Sequence, residues 1–139
     1  MRATRLRVEY LKNPIGIDIT KPRLSWNCEG GKKQSAYRIV AMNDSSEILW
    51  DSEKVISSQM VHIPWDSTDL SSRAIVNWKV CLWDENDVQG EWSEEASFEI
   101  GLLEKFDWKA EWITGNYKVN KKKRYPVDCF RKTFTICFQ

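Results

Sequence analysis

Ile75-Val76-Asn77-Trp78-Lys79-Val80-Cys81-Leu82-Trp83-Asp84 is the longest strand pattern in the chain. Trp78, Val80 and Leu82 fall on one face and Cys81 on the other. A period of two with apolar residues on one side is the mark of a half-buried strand. The polar stretch Asp84–Gly90 follows as a loop, and Trp92–Ile100 returns with Ala96, Phe98 and Ile100 in one register. Working back, Gln59–Ile63 and Glu47–Asp51 read as short strands. Ala36–Met42 alternates, with Tyr37, Ile39 and Ala41 against Arg38, Val40 and Met42. Asn43-Asp44-Ser45-Ser46 and Glu29-Gly30-Gly31 are turn signals. Arg23–Cys28 places Leu24, Trp26 and Cys28 together, and Thr4–Tyr10 places Leu6, Val8 and Tyr10 together, before Asn13-Pro14 breaks the pattern. Seven short strands in roughly 100 residues, with turn chemistry between them, predict an all-β fold. Its form is a seven-stranded, two-sheet β-sandwich.

Trp26 and Trp78 are expected at the centre, both nearly fully buried and near each other, because an indole fills much core volume at low rotamer cost. The parity of the cysteines predicts no bridge between Cys28 and Cys81. Cys28 shares the face of Trp26, whereas Cys81 lies opposite Trp78, and a bridge between sheets needs both thiols inward.

The chain has 139 residues, 21 Lys plus Arg against 20 Asp plus Glu, 42% apolar residues and eight Trp. The apolar fraction supports a core and excludes disorder by composition. A net charge of +1 argues against a general nucleic-acid binder, which replaces phosphate counterions with a basic surplus. No apolar run is long enough to span a membrane. Met1–Leu11 has arginines but no apolar core of a signal peptide, which points to a cytoplasmic location.

The charge changes near residue 103. Residues 1–103 carry 12 basic and 16 acidic residues, net −4; residues 104–139 carry 9 and 4, net +5. Two domains are expected: a sandwich over 1–103, and over 104–139 a linker with the truncated start of a second β-sandwich domain. Trp108–Ile113 reads as a short strand, Lys118–Arg124 as a basic loop, and Cys129–Phe138 as an alternating β extension. Two strands and a loop make no core of their own.

Several strings, taken in order, resemble the N-terminal region of bacterial α-L-rhamnosidases. They are Val8-Glu9-Tyr10, Asn13-Pro14-Ile15-Gly16-Ile17-Asp18, Pro22-Arg23-Leu24-Ser25-Trp26, Gln34-Ser35-Ala36-Tyr37-Arg38-Ile39-Val40 and Leu49-Trp50-Asp51-Ser52. Trp78-Lys79-Val80, Glu91-Trp92-Ser93-Glu94, Gly101-Leu102-Leu103 and Asp107-Trp108 continue the likeness. The resemblance implies a non-catalytic module whose seven-stranded sandwich is of the fibronectin type III/immunoglobulin-like kind. In such enzymes further β-sandwiches follow, then an α-helical barrel that hydrolyses terminal α-L-rhamnose with inversion. The acid and base lie on that barrel, so the resemblance implies no catalytic residue here. The partners it implies are the remaining domains of a parent hydrolase; a stand-alone carbohydrate-binding or partner-binding sandwich is the alternative.

The residues themselves offer few sites. No cofactor motif is present. The four cysteines and the single histidine, His62, are scattered, so no metal site is expected. His62 beside Val61 and Ile63 reads as an outward imidazole rather than a triad base. Asp84, Glu85 and Asp87 read as a solvated turn rather than a calcium loop. Glu94 and Glu95, adjacent on a strand, would point to opposite faces and so not pair as acid and base. Lys121-Lys122-Lys123-Arg124 reads as a solvated loop. That leaves Trp50, Trp65, Trp83 and Trp92, which fall at strand ends or opposite Trp78, as candidate sugar platforms or interdomain contacts. The interdomain reading is preferred.

Overall fold

In the computed structural model the described residues are 1–113, 115, 117–118, 120–125, 127–133 and 135. Among the described residues nine strands form: β1 Arg2–Val8, β2 Arg23–Glu29, β3 Ala36–Asn43, β4 Ile48–Asp51, β5 Val55–Ile56, β6 Ile63–Pro64, β7 Ile75–Trp83, β8 Gln89–Trp92 and β9 Ala96–Glu99. One layer is β1–β2–β6, all antiparallel. The other is β4–β3–β7–β8, with β5 continuing along β3 and β9 along β7. A single parallel pairing, Arg2 with Glu91, joins β1 to β8 and curls the two layers into one sheet. The expected all-β, immunoglobulin-like architecture is what folds.

The inner faces carry the expected alternation. Leu24 and Trp26 from β2, Tyr37, Ile39 and Ala41 from β3, and Val76, Trp78, Val80 and Leu82 from β7 form one core with Phe98 and Ile100. Trp26 is 1% exposed and Trp78 is fully buried. The Trp26 ring meets Tyr37 edge-on at 5.2 Å. Trp78 Nε1 has no hydrogen-bond partner, a cost the surrounding apolar packing must offset. Cys81 sits on the outer face, and Cys28, Cys81 and Cys129 are free thiols, in line with the parity argument.

One device interrupts the pairing at two places, between β4 and β5 and within the expected strand Trp92–Ile100. After β4, Ser52 N donates to Ile39 O (3.0 Å), and Ile39 N donates to Ser52 Oγ (2.8 Å) instead of to a carbonyl. After β8, Ser93 N donates to Val80 O (2.8 Å), and Val80 N donates to Ser93 Oγ (3.0 Å). Each hydroxyl then donates to the next carbonyl, Glu53 O or Glu94 O. A serine side chain thus completes the ladder across each bulge, and the strand resumes as β5 or β9. Trp92–Ile100 is therefore two strands with a bulge between. Glu94 and Glu95 lie in that bulge rather than on a strand, so the alternation expected of them does not apply, and both line one recess.

β1 also differs from its reading. The register slips between Thr4 and Arg7, where Arg5 has φ +50°. Ala3 is therefore buried with Leu6 and Val8. The strand ends at Val8, not Tyr10. Val8 and Leu11 exchange backbone bonds of 3.0 and 2.8 Å around Glu9 and Tyr10, both at positive φ, so the chain reverses in a two-residue hairpin turn. Tyr10 is consequently 63% exposed rather than on the inner face. The next segment, Asn13–Ile17, covers the free edge of β9. Ser97 N donates to Asn13 Oδ1, Glu99 N to Pro14 O, and Gly16 N and Ile17 N to Glu99 O. An edge otherwise open to another strand is thereby closed.

The join between the layers depends on Gly90. A Cβ there would lie 1.8 Å from the Met1 carbonyl oxygen. Gly90→Ala is expected to push β1 off β8 and cost about 1–3 kcal/mol, the usual penalty of overpacking. Thermal melts and faster amide exchange at Arg2 and Glu91 would register it; an unchanged melt would refute it.

The chain divides into two units, Met1–Trp108 and Lys109–Gln139. Residues 104–108, expected in the linker, stay with the first unit. They include a short 3₁₀ turn, Lys105–Asp107, whose Asp107 carboxylate accepts from Ser72 Oγ and from Glu104 N. In the second unit Tyr117 and Tyr125 stack at 4.8 Å, and Tyr117 Oη donates to Asp128 Oδ2 at 2.7 Å. Its described residues, and Trp108–Ile113, carry no strand, contrary to expectation. Of the expected strand Cys129–Phe138, residues Phe134, Ile136, Cys137 and Phe138 lie outside the described residues.

Candidate functional site

The four tryptophans separate into two pairs. Trp50 and Trp65 belong to the core, at 9% and 2% exposed. Their rings lie 5.2 Å apart, Trp65 meets Phe98 edge-on at 6.1 Å, and Trp65 Nε1 donates to Thr68 O. Both fall at or beside strand ends, yet face the core. Trp50 pairs across from the inward Ala41, and Trp65 follows the edge strand β6 into the interior. Neither offers a ring face to a ligand.

Trp83 and Trp92 do lie on the outer face of β7 and β8, around the buried Ala36 and Cys81. Trp83 is 9% exposed and Trp92 half-buried. Cations roof both rings: Lys54 Nζ is 5.0 Å from the Trp83 centroid and Lys79 Nζ 5.1 Å from that of Trp92. Lys54 also pairs with Asp87 at 2.5 Å. Beside them Arg38 grips Asp51 with two bonds, 2.9 and 2.5 Å, and holds its carboxyl below the usual range. Burial pushes the Cys81 thiol up, so it is a packing group rather than a nucleophile. The face is a small apolar patch under flexible, charged side chains, a composition suited to a partner surface.

The polar candidates resolve into local roles. Asp84 Oδ1 accepts from Asn86 N and Val88 N, which shapes its own loop and lowers its pKa. Glu85 Oε2 accepts from Lys32 N and Lys33 N. His62 Nε2 lies 2.5 Å from Tyr10 Oη, while Ser25 Oγ accepts from the His62 backbone, so no Ser–His–Asp relay forms. Lys121–Arg124 is an exposed turn. Among the described residues no group of three or more His, Cys, Asp and Glu comes together to hold a metal.

Two constellations were missed from sequence. Gln34, 2% exposed, accepts from Trp26 Nε1 (3.0 Å) and donates to Ser57 O and Gln59 O (3.0 and 2.9 Å). A lone Gln before a strand gives no periodic signal. The second is a corner of Glu9, Tyr10, Arg23 and His62. Arg23 binds Glu9 through Nε and Nη2 and lies 5.6 Å over the Tyr10 ring, and its hydrogen bonds hold the Glu9 carboxyl below its usual range. The Val8-Glu9-Tyr10 and Pro22-Arg23 strings carry this corner, but the hairpin that unites them is set by positive φ angles that side-chain periodicity does not encode.

Residues 3–104 match the family described as Rha78A-like, N-terminal immunoglobulin domain. An α-L-rhamnosidase of Alteromonas sp. (strain LOR) is 39% identical over 122 residues, 81% of this chain and 13% of the relative. One from Formosa agariphila is 42% identical over 113 residues, 76% of this chain and 12% of the relative. Among solved structures, the Streptomyces avermitilis α-L-rhamnosidase complexed with L-rhamnose superposes with a TM-score of 0.73. It is 36% identical, with 81% of this chain and 12% of that chain covered. The chain thus spans about one-eighth of the length of the relatives it matches.

Proposed function

This chain belongs to the family of Rha78A-like N-terminal immunoglobulin domains, and from that premise we propose that it is the non-catalytic N-terminal module of an α-L-rhamnosidase-like glycoside hydrolase. The parent's action on terminal α-L-rhamnose, with inversion, is part of the same proposal, as are its remaining domains as partners. The observation that carries it is coverage: relatives named α-L-rhamnosidase are matched over 12–13% of their length, by a segment that is a β-sandwich domain. Inverting hydrolysis needs an acid and a base flanking a sugar. The carboxylates singled out in the first unit serve instead in loop turns, an ion pair and the β8–β9 bulge.

The module's role is to position and stabilise the rest of the enzyme, with the outer face around Trp83 and Trp92 as its contact. A stand-alone carbohydrate-binding module fits less well, because Trp50 and Trp65 are core residues and Trp83 lies beneath Lys54. Purified chain is expected to turn over no chromogenic α-L-rhamnoside, and its Trp fluorescence to stay unchanged on titration with L-rhamnose. Turnover by contaminant-free protein would overturn the non-catalytic reading, and a saturable fluorescence change would favour the binding module.

A further inference from the structure

The layers of the sandwich part company where two bulges face each other. One is in β1, where Arg5 and Leu6 together oppose Trp26; the other is Ser93–Glu95 between β8 and β9. Above them the Arg2–Glu91 pairing closes the seam, and below them Lys12 and Asn13 complete the wall. The result is a recess of about 460 Å³, within the size range of small-ligand sites.

Its lining is unusual for this unit. Residues 1–103 are net negative and hold 12 cations, yet Arg2, Arg5, Arg7 and Lys12 all line this one recess. Among the described residues none of the four makes an ion pair, although Glu29, Glu94 and Glu95 also line it. Arg2 Nε is buried without a hydrogen-bond partner, a state that costs free energy unless a ligand or water completes it. Arg5 is held at φ +50° by the β1 bulge, a strained conformation for a residue with a Cβ. Bulges of this kind re-aim side chains beside binding sites.

We propose that this recess binds a small carboxylate that also carries hydroxyl groups. The guanidinium groups supply the charge-assisted donors that match a carboxylate, often two at a time. Glu29, Glu94 and Glu95 supply acceptors for hydroxyl protons and select against bare polyanions by repulsion. The inference rests on the lining of the recess alone and stands whether or not the parent-enzyme reading does.

Gluconate, titrated into the ¹⁵N-labelled chain at constant ionic strength with chloride as the balancing anion, tests it. Saturable amide shifts are expected at Arg2–Arg7 and Glu94–Ala96, with none from glucose. Arg5→Gln with Arg7→Gln is expected to weaken binding roughly fivefold or more while keeping a dispersed spectrum. If that pair impairs folding, Lys12→Gln, outside the strands, is expected to weaken binding about twofold. Lys32→Gln, away from the recess, is expected to change nothing. Shifts from gluconate no larger than those from chloride, or equal affinity in the Arg5/Arg7 variant and the wild type, would overturn the assignment.

Discussion

Trp26→Ala is expected to leave the first unit largely unfolded at physiological temperature. The indole is 1% exposed, sits edge-on to Tyr37, and carries the Nε1–H that Gln34 accepts. Truncation removes a large apolar area, leaves a cavity between the layers and strands one lone pair of a buried amide oxygen. Large-to-small changes of this kind cost about 3–5 kcal/mol, against a total of roughly 5–15 kcal/mol for a domain.

Trp83→Ala is the control that gives the number meaning. Trp83 is nearly as buried, at 9%, but in a satellite cluster on the outer face. Its neighbours there are Ala36, Cys81 and the flexible Lys54, whose stem can settle into the space vacated. The expected loss is about 1–2 kcal/mol, a share of side-chain burial plus one exposed cation–π contact. Thermal or denaturant melts of both variants decide it. Equal losses would mean that the outer cluster is a second core of the same weight, and the inward face of β7 would no longer be what organises the fold.

That inward face was legible because packing imposed it. Trp78, Val80 and Leu82 on β7 and Tyr37, Ile39 and Ala41 on β3 keep period two, since the inward face is buried throughout while the outer one is only partly buried at Arg38, Asn77 and Lys79. Legibility fails where hydrogen bonding rather than burial sets the path. Ser52 and Ser93 look like ordinary polar residues, yet their hydroxyls stand in for backbone acceptors and convert single strands into broken pairs. Tyr10 alternates correctly with Val8 and still points outward, because Glu9 and Tyr10 turn the chain at positive φ. Trp50 and Trp65 failed for a third reason. Each sits on or beside a strand too short to show a period, so only the tertiary fold reveals which way it faces. The recess lined by Arg2, Arg5 and Arg7 was hidden for the same cause, since two facing bulges are a property of the paired sheet.

Gln34 is the position where one side chain ties most of this together, and its loss is expected to rival that of Trp26. The segment after β5 crosses the end of the sandwich without strand pairing of its own until β6. To β2 it is fastened by Met60 O, which accepts from Trp26 N (2.9 Å), and by His62 N, which donates to Ser25 Oγ; Ser57 O and Gln59 O accept from the amide of Gln34, just before β3. The Gln34 oxygen in turn accepts from Trp26 Nε1 and, at 3.3 Å, from Cys28 Sγ. The amide therefore uses both donors and both lone pairs in a nearly dry site. Gln34→Leu conserves size but leaves the Trp26 indole N–H and two carbonyls without partners, at about 1–3 kcal/mol for each group that water cannot reach. The expected loss is about 3 kcal/mol or more, with fast amide exchange across residues 57–62. Gln34→Glu separates hydrogen bonding from shape. A carboxylate there has no donors for Ser57 O and Gln59 O and must be buried as a charge, whereas its protonated form regains one donor. Burial raises its folded pKa above the unfolded value, so the variant is expected to gain stability relative to wild type as pH falls through that folded value. Melts of Gln34→Glu that track the wild type at every pH would show that the amide's bonds are not what hold the segment in place.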